Sequence, residues 1–347
     1  MRKLASIQKI KEIVSIEGAD SIELAIVNGW QVVVGKNQEL KPGDFVVYCE
    51  IDSFLPIVPE FEFLRKSSYK KMADSSEGFR LKTAKFRGQI SQGLIISLND
   101  AYSVIKKINP NNILVYSEGL DVTEILGILK YEPPVPACLA GISKGLFPGF
   151  IPKTDEERVQ NLTESYSEWR KIKSGFYITE KLDGSSSTFY YRDGEFGVCS
   201  RNLELLESED NTLWSVARKI KLEEKLARLG KNIALQGELI GEGIQGNPYK
   251  MKGQSIKFFN IFDIDKHEYY GLSLFLSTIE NELQLETVPV LEYNFNLPDT
   301  VGDLLKMAEG KSILNKEAER EGLVIRSTDR KISFKAISNK FLLNEKN

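Results

Sequence analysis

Over the first hundred residues the chain alternates between apolar and polar in short runs: IVSIEG, IELAIV, then WQVVVGK after Asn28-Gly29, KPGDFVVYCEID, and GLIISL. Alternation with period two places one set of side chains on each face of a strand, and Asn-Gly between two such runs is the strongest short hairpin signal. The first hundred residues read as all-β, and several short strands joined by turns within about a hundred residues predict a small barrel, for which the five-stranded OB-fold is the commonest solution. From DAYSVIKKIN through DVTEILGILKYEPP the period becomes helical, with Asp121 or Thr123 as cap. EPPVPACLAGISKGLFPGFIPK has no period and is rich in Pro and Gly, which reads as a linker. Beyond it TDEERVQNLTESYSEWRKIKSG reads as a charged amphipathic helix, and strands then alternate with helices such as LWSVARKIKLEEKLARL. The expected organisation is a barrel over 1–105, a helical segment and linker over 106–146, and an α+β domain over 147–347.

Composition removes several chemistries. His267 is the single histidine of 347 residues, so Ser-His-Asp hydrolysis, HExxH zinc sites and multi-histidine metal centres lack material. Cys49, Cys138 and Cys199 are odd in number and widely spaced, which argues against a disulfide framework or a cysteine zinc site. No apolar run reaches the ~18 residues of a membrane span, and the N-terminus has no signal-peptide core, so the expectation is a soluble, intracellular, cytoplasmic protein. Chemistry must then run on lysine, carboxylates and a borrowed cation.

A formal charge of −3 conceals one basic stretch. In LRKSSYKKMADSSEGFRLKTAKFRG eight Lys and Arg residues face Asp74 and Glu77, with Tyr69, Phe79 and Phe86 interleaved. A solvated loop accounts for this, and so does a nucleic-acid surface on a barrel, with charge for phosphates and flat faces for bases.

In YITEKLDGSSSTFYYRDGEFGVCSRN, Asp183-Gly184 reads as a hairpin turn, which leaves Lys181 unexplained. A K-x-D-G arises by chance in about one chain in ten of this length, so the spacing alone is weak. Downstream residues add weight to it: Ser200-Arg201-Asn202, then Glu238 in IALQGELIGEG, Asp263 ending KFFNIFDID, Glu321 opening EGLVIRS, and Lys335 in ISFKAIS. Each is a charged group in or beside an apolar strand, and each alone has a plain explanation as a solvated strand-end residue. As a set they suggest a cleft between sheets.

These segments in this order resemble the nucleotidyltransferase domain of ATP-dependent polynucleotide ligases and mRNA capping enzymes. EKLDG is similar to motif I, SRN to motif Ia, LQGELIG to the segment bearing the acidic residue of a IIIa-like position, FFNIFDI to motif III, EGLVIRS to motif IV and SFKAIS to motif V. The resemblance covers Phe147 to the C-terminus and is greatest to RNA ligases of family 5, which carry an OB domain ahead of the catalytic domain. Only twelve residues follow Lys335, which leaves no room for the trailing barrel of capping enzymes. The fold implied is α+β: an N-terminal OB-fold barrel, then an ATP-grasp-like ligase domain of antiparallel sheets with flanking helices. One departure is Ser333 in the slot where many relatives place the first lysine of motif V, with Arg330 or Lys331 as substitutes.

The resemblance implies that Lys181 attacks ATP to form lysyl-AMP, that the AMP passes to an RNA 5′-phosphate, and that a 3′-OH then seals the break. A lysine of ordinary pKa is neutral about once in a thousand at neutral pH, a deficit of roughly 4 kcal/mol that its surroundings must remove. It further implies that Glu180 or its backbone reads adenine, that Phe259 or Phe262 stacks on it, and that Asp183 with Ser185 serves the ribose and the metal's waters. Glu238 and Glu321, with Asp183, hold Mg²⁺ or Mn²⁺ through water, while Arg201, Lys335 and Arg158 grip phosphates. The expected partner is RNA as a nicked duplex or RNA–DNA hybrid with 5′-phosphate and 3′-OH, with no membrane and no obligate protein partner. A DNA ligase with the same lysine, and a non-catalytic OB-type nucleic-acid-binding protein, remain open from sequence.

Overall fold

The computed structural model describes residues 3–72, 75–112, 114–131, 143–173 and 175–344. The first half of the expected linker, 132–142 with Cys138, lies outside the described residues, and its second half is not a plain linker, because Ser143–Leu146 is a strand paired with Leu203–Leu205. The chain divides into one unit of residues 1–135 with 160–163 and another of 136–159 with 164–347.

The first unit is built on an antiparallel sheet in the order Leu94–Ile96, Phe45–Cys49, Ala5–Ser15, Ile22–Val27, Trp30–Gly35. Ala5–Ser15 pairs with Phe45–Cys49 over its first half and with Ile22–Val27 over its second, and a bulge between Ile10 and Glu12 bends it from one partner to the other. Bulges of this kind add the twist that curls a sheet toward closure. The strand Gln89–Gln92 lies against the Trp30 edge, where the Val33 N–H donates to Ser91 Oγ at 3.0 Å. Past Gly93 the chain joins the opposite edge as Leu94–Ile96, so the barrel is nearly closed. Gly93 sits at φ +100°, and a Cβ there would meet the Cys49 carbonyl at 2.4 Å, which reserves the position for glycine.

Ser97 caps the helix Leu98–Ile108 by accepting the Asp100 N–H at 3.0 Å, and Val104 and Ile105 are buried in one core with Ile7, Val47, Phe61 and Phe79. The helical expectation at Asp121 is not met: Asp121 forms a β-bridge with Ser6 and 123–127 is a hydrogen-bonded turn. Asp121 Oδ1 does accept the Thr123 N–H, but Thr123 Oγ1 is engaged by the Leu4 and Ala5 amides and Gly127 at φ +64° ends the coil.

The second unit holds two sheets. Seven strands run in the order Ser143–Leu146, Leu203–Leu205, Glu195–Cys199, Ser185–Arg192, Ile233–Gly241, Gln254–Asp263, Glu268–Tyr269, all antiparallel. Helices Thr212–Lys219 and Leu222–Leu229 cover one face of it, burying Trp214 and Leu226 against Phe189, Leu235 and Phe258. Five strands form the other sheet: Glu157–Arg158, Ser333–Ile337, Gly322–Ser327, Phe176–Lys181, Val290–Phe295. One of its faces is closed by Trp169, stacked on Phe334 at 5.3 Å, and by the helix Val301–Ala308.

Two local expectations are corrected here. Of the segment read as one amphipathic helix, only Thr163–Trp169 is α-helical; Glu157–Arg158 is a short edge strand parallel to Ser333–Ile337. Nor is Asp183-Gly184 a hairpin turn. Phe176–Lys181 and Ser185–Arg192 belong to different sheets, and the intervening residues carry the chain between them. Gly184 is required by a close approach, since a Cβ would lie 2.4 Å from the Leu239 carbonyl and 2.8 Å from Glu238 Cγ. The hairpin turn is at Asp193-Gly194, both at positive φ.

Candidate active site

Cross-strand registers decide which side chains share a face. Lys181 pairs with Gly322, Thr179 with Val324 and Tyr177 with Arg326; Val324 pairs with Lys335, Arg326 with Ser333, and Lys335 with Arg158. Directly paired residues point to the same side. One face of the five-stranded sheet therefore carries Lys181, Arg326, Lys335 and Arg158, four basic side chains in a mainly apolar fold. Lys181 ends its strand, and Glu321 immediately precedes the strand beside it.

The Lys181 Nζ lies 2.7 Å from Glu321 Oε1, with the lysine side chain 26% exposed, so the amine is held at the end of its strand by an acidic partner. Desolvation pulls the lysine pKa down, but the carboxylates of Glu321, Glu238 and Asp183 outweigh it and the pKa is raised. Glu238 stands on the other sheet, paired with Ser186 and Lys257. Desolvation pushes its carboxyl up to about 8; Lys181 opposes this, and Glu321 and Asp183 add to it. Without a bound cation the site is thus an ammonium among three acidic groups, one of which keeps its proton at neutral pH.

This donor set suits a hard divalent cation. Glu321 Oε2 is buried with no hydrogen-bond partner, and Glu238 would ionise beside a metal. Among the described residues no three acidic, histidine or cysteine side chains are clustered closely enough to ligate a metal directly.

The aromatic pair is separated by a bulge. Gln236 faces Asn260 and Gly237 faces Phe258, which leaves Phe259 as the extra residue. Phe258 points into the helix-covered core, whereas Phe259 packs with Leu182, Ile240 and Tyr249 next to the Lys181 segment. Phe262 is 2% exposed in another apolar cluster with Ile151, Tyr190 and Ala234. The structure thus brings Phe259, and not Phe262, beside the candidate nucleophile.

Other expected residues are distributed as follows. Glu180 alternates away from Lys181; it is buried, its Oε2 accepts the Ile313 N–H at 2.9 Å, and its Oε1 has no partner. Arg201 is half exposed and donates to Asp155 Oδ1 at 2.8 Å. Asp263 accepts the Lys266 N–H in a turn and is not at the site. Arg330 is buried, donating to Asn260 Oδ1 and lying 4.8 Å from the Tyr269 ring centroid, whereas Lys331 is 83% exposed beside Asp329. Of the basic stretch in the first unit, Arg65 is paired bidentately with Glu62, Lys71 with Glu77 and Arg80 with Asp52, and Phe79 is buried. Lys85, Phe86 and Arg87 are exposed at the tip of the hairpin Thr83–Phe86/Gln89–Gln92.

Three groups were not anticipated. Arg326 is 2% exposed, donates to Thr179 Oγ1 at 2.8 Å and sits 5.6 Å from the Phe259 ring centroid. Glu156 lies 3.5 Å from Arg326 and 3.9 Å from Arg330. Tyr249 Oη accepts the Asp183 N–H at 2.6 Å. An arginine inside the apolar run GLVIRS was the available signal for the first; the others depend on loop paths that periodicity does not report.

Comparison with known proteins gives a family described as OB-fold domain over residues 4–98 and one described as RNA ligase over 174–339. Among solved structures the chain is similar to a Naegleria gruberi RNA ligase mutant with AMP and Mn and another with ATP and Mn, each at 44% identity and a TM-score of 0.88, covering 98% of both chains. The same Naegleria ligase with PPi aligns at 44% identity and a TM-score of 0.86, covering 99% of this chain and 98% of that one. No curated protein matches. Among the described residues no helix is long and apolar enough to cross a membrane.

Proposed function

Because the chain belongs to the RNA ligase family, we propose that Lys181 is the residue on which its ATP-dependent activity turns. The protein is an ATP-dependent RNA ligase of α+β architecture with an N-terminal OB-fold domain, working with ATP and Mn²⁺ or Mg²⁺. In the proposed first step Lys181, having given up its ammonium proton to solvent, forms a bond from its neutral amine to the α-phosphorus of ATP while the bond to the β-phosphate bridging oxygen breaks and the amine's second proton leaves with the pyrophosphate or to solvent. Pyrophosphate leaves and lysyl-AMP remains. An RNA 5′-phosphate oxygen then attacks the same phosphorus and displaces the lysine, giving a 5′–5′ pyrophosphate. Finally a 3′-OH attacks the RNA phosphate and AMP departs. Phosphoryl transfer asks a protein mainly for position and charge compensation.

Each group has a task in this reading. Glu321 orients the amine, and Glu238 and Asp183 complete the acidic set that would hold the cation's waters. When bound, that cation would neutralise the carboxylates that now keep Lys181 protonated and would offset charge on the triphosphate. Lys335, Arg158 and Arg201 grip phosphates, Phe259 stacks on adenine, and Glu180 or its neighbouring backbone reads the base edge. The substrate is a nicked duplex or RNA–DNA hybrid with 5′-phosphate and 3′-OH. Cys49 and Cys199 are buried free thiols, in keeping with a reducing cytoplasmic setting.

The observation that carries this reading is the 2.7 Å contact of a strand-end lysine with Glu321, where Glu238 and Asp183 also act on the amine. The test is incubation with α-labelled ATP and Mg²⁺. Acid-resistant label should appear on the wild type and be absent from Lys181→Ala; label surviving that substitution would defeat the assignment. Sealing of matched RNA, DNA and mixed nicks identifies the preferred break.

A further inference from the structure

The crossover that carries Lys181 from one sheet toward the other is gripped from outside. Leu182 is 3% exposed and packs with Ile240, Tyr249 and Val288. On either side of Gly184's close approach to Glu238, the chain offers two backbone polar groups that no strand can satisfy. One is the Asp183 N–H, taken by Tyr249 Oη at 2.6 Å. The other is the Gly184 carbonyl, which accepts from Gln245 Nε2 at 3.2 Å. Both partners come from residues 242–251, the connection between the strands Ile233–Gly241 and Gln254–Asp263.

That connection has a specified shape. Gln245, Asn247 and Lys250 all lie at positive φ, 47–52°, beside Gly243 and Gly246. Non-glycine residues hold such angles only where their surroundings over-determine them. Here Asn247 bonds the Met251 N–H and carbonyl through its side chain, and Asn315 Nδ2 donates to the Pro248 carbonyl at 2.8 Å. Tyr249 itself is 6% exposed, and burial together with Glu321, Glu180 and Asp183 pushes its hydroxyl pKa up.

We infer that Tyr249 and Gln245 are positioning residues for ligation: they fix the Lys181–Gly184 crossover so that the amine stays aimed along the line of attack. The inference rests on Lys181 being the nucleophile. Only the steps in which the amine makes or breaks a bond depend on this aim, so the effect should be confined to them. Reacting groups held loosely lose rate steeply, because the oriented encounter is what the site supplies.

The experiment compares wild type, Tyr249→Phe and Gln245→Ala in single-turnover labelling with α-labelled ATP and Mg²⁺, and in sealing of pre-adenylylated RNA, which bypasses the amine. Tyr249→Phe removes the oxygen to which the Asp183 N–H donates at 2.6 Å. It should slow lysine adenylylation about tenfold to a hundredfold, with half-saturating ATP changed less than about threefold. Sealing of pre-adenylylated RNA should stay near wild type, with the melting temperature lowered by no more than a few degrees, and Gln245→Ala should show the same split more weakly. Wild-type labelling by Tyr249→Phe would overturn the proposal, as would equal loss of both activities with a lowered melting temperature, which marks a merely structural role. A wild type that takes no label would instead bring down the nucleophile assignment beneath it.

Discussion

Replacing Glu238 with Gln should remove a pH dependence of stability that this one carboxyl imposes on the metal-free protein. Its pKa is pushed from the ordinary 4.5 to about 8, first by burial and then by Glu321 and Asp183, with Lys181 opposing. Between those values the folded protein binds a proton that the unfolded chain has released. The stability from this group is fully present below pH 4.5, is lost as pH rises through the window, and is level above about 8. Every tenfold gain in proton affinity is worth about 1.4 kcal/mol, so the full window corresponds to about 5 kcal/mol, and about half of that once the partial solvent access of the site is allowed for. The assay is urea unfolding at pH 5, 6, 7 and 8 with chelator present, followed through the fluorescence of Trp214, buried in the same unit. Wild type should weaken over that range by about 2–4 kcal/mol more than Glu238→Gln. Mn²⁺ should restore the wild-type midpoint more at pH 8 than at pH 6, because binding requires the ionised carboxylate. Parallel pH profiles for the two proteins would refute the electrostatic account of the site.

Three further outcomes can be checked independently. Phe259→Ala should raise half-saturating ATP in labelling by about tenfold or more, whereas Phe262→Ala should lower stability by about 3–5 kcal/mol with half-saturating ATP unchanged. Gly184→Ala should cost about 1–3 kcal/mol in thermal unfolding and abolish labelling, since the added Cβ displaces Glu238 or the Leu239 carbonyl. Gly93→Ala should destabilise the first unit by more than about 1 kcal/mol, read from its own unfolding transition, without altering labelling of the second.

How much of the fold and site was legible in the sequence depended on the range of the forces involved. The barrel followed from alternation and from Asn28-Gly29, because pleat and turn are local properties. Lys181, Glu238 and Glu321 could be suspected because a charge beside an apolar strand is conspicuous in any sequence. Asp183-Gly184 misled for the opposite reason. Turn rules describe four residues and cannot tell a hairpin from a passage between sheets, and what makes Gly184 necessary is contact with Leu239 and Glu238, over fifty residues away. Arg158 was assigned to a helix by the charges around it, yet two residues suffice to pair with Ser333–Ile337 and put it on the Lys181 face. Three neighbouring Phe positions could not be resolved into platform and core, because the bulge that resolves them is set by pairing with Gln236 and Gly237.

That bulge has an evolutionary and engineering corollary. It acts as a phase step within one strand: upstream of it even-numbered residues such as Ile256 and Phe258 feed the helical layer, and downstream of it Ile261 does. Two neighbours, Phe259 and Asn260, consequently look the same way, one toward the Lys181 segment and the other to a buried arginine. Excising a single residue here would restore a regular ladder and, in doing so, send either the platform or the arginine's anchor into oil. Length in this strand is therefore less negotiable than residue type, and homologues should vary its side chains far more freely than its count.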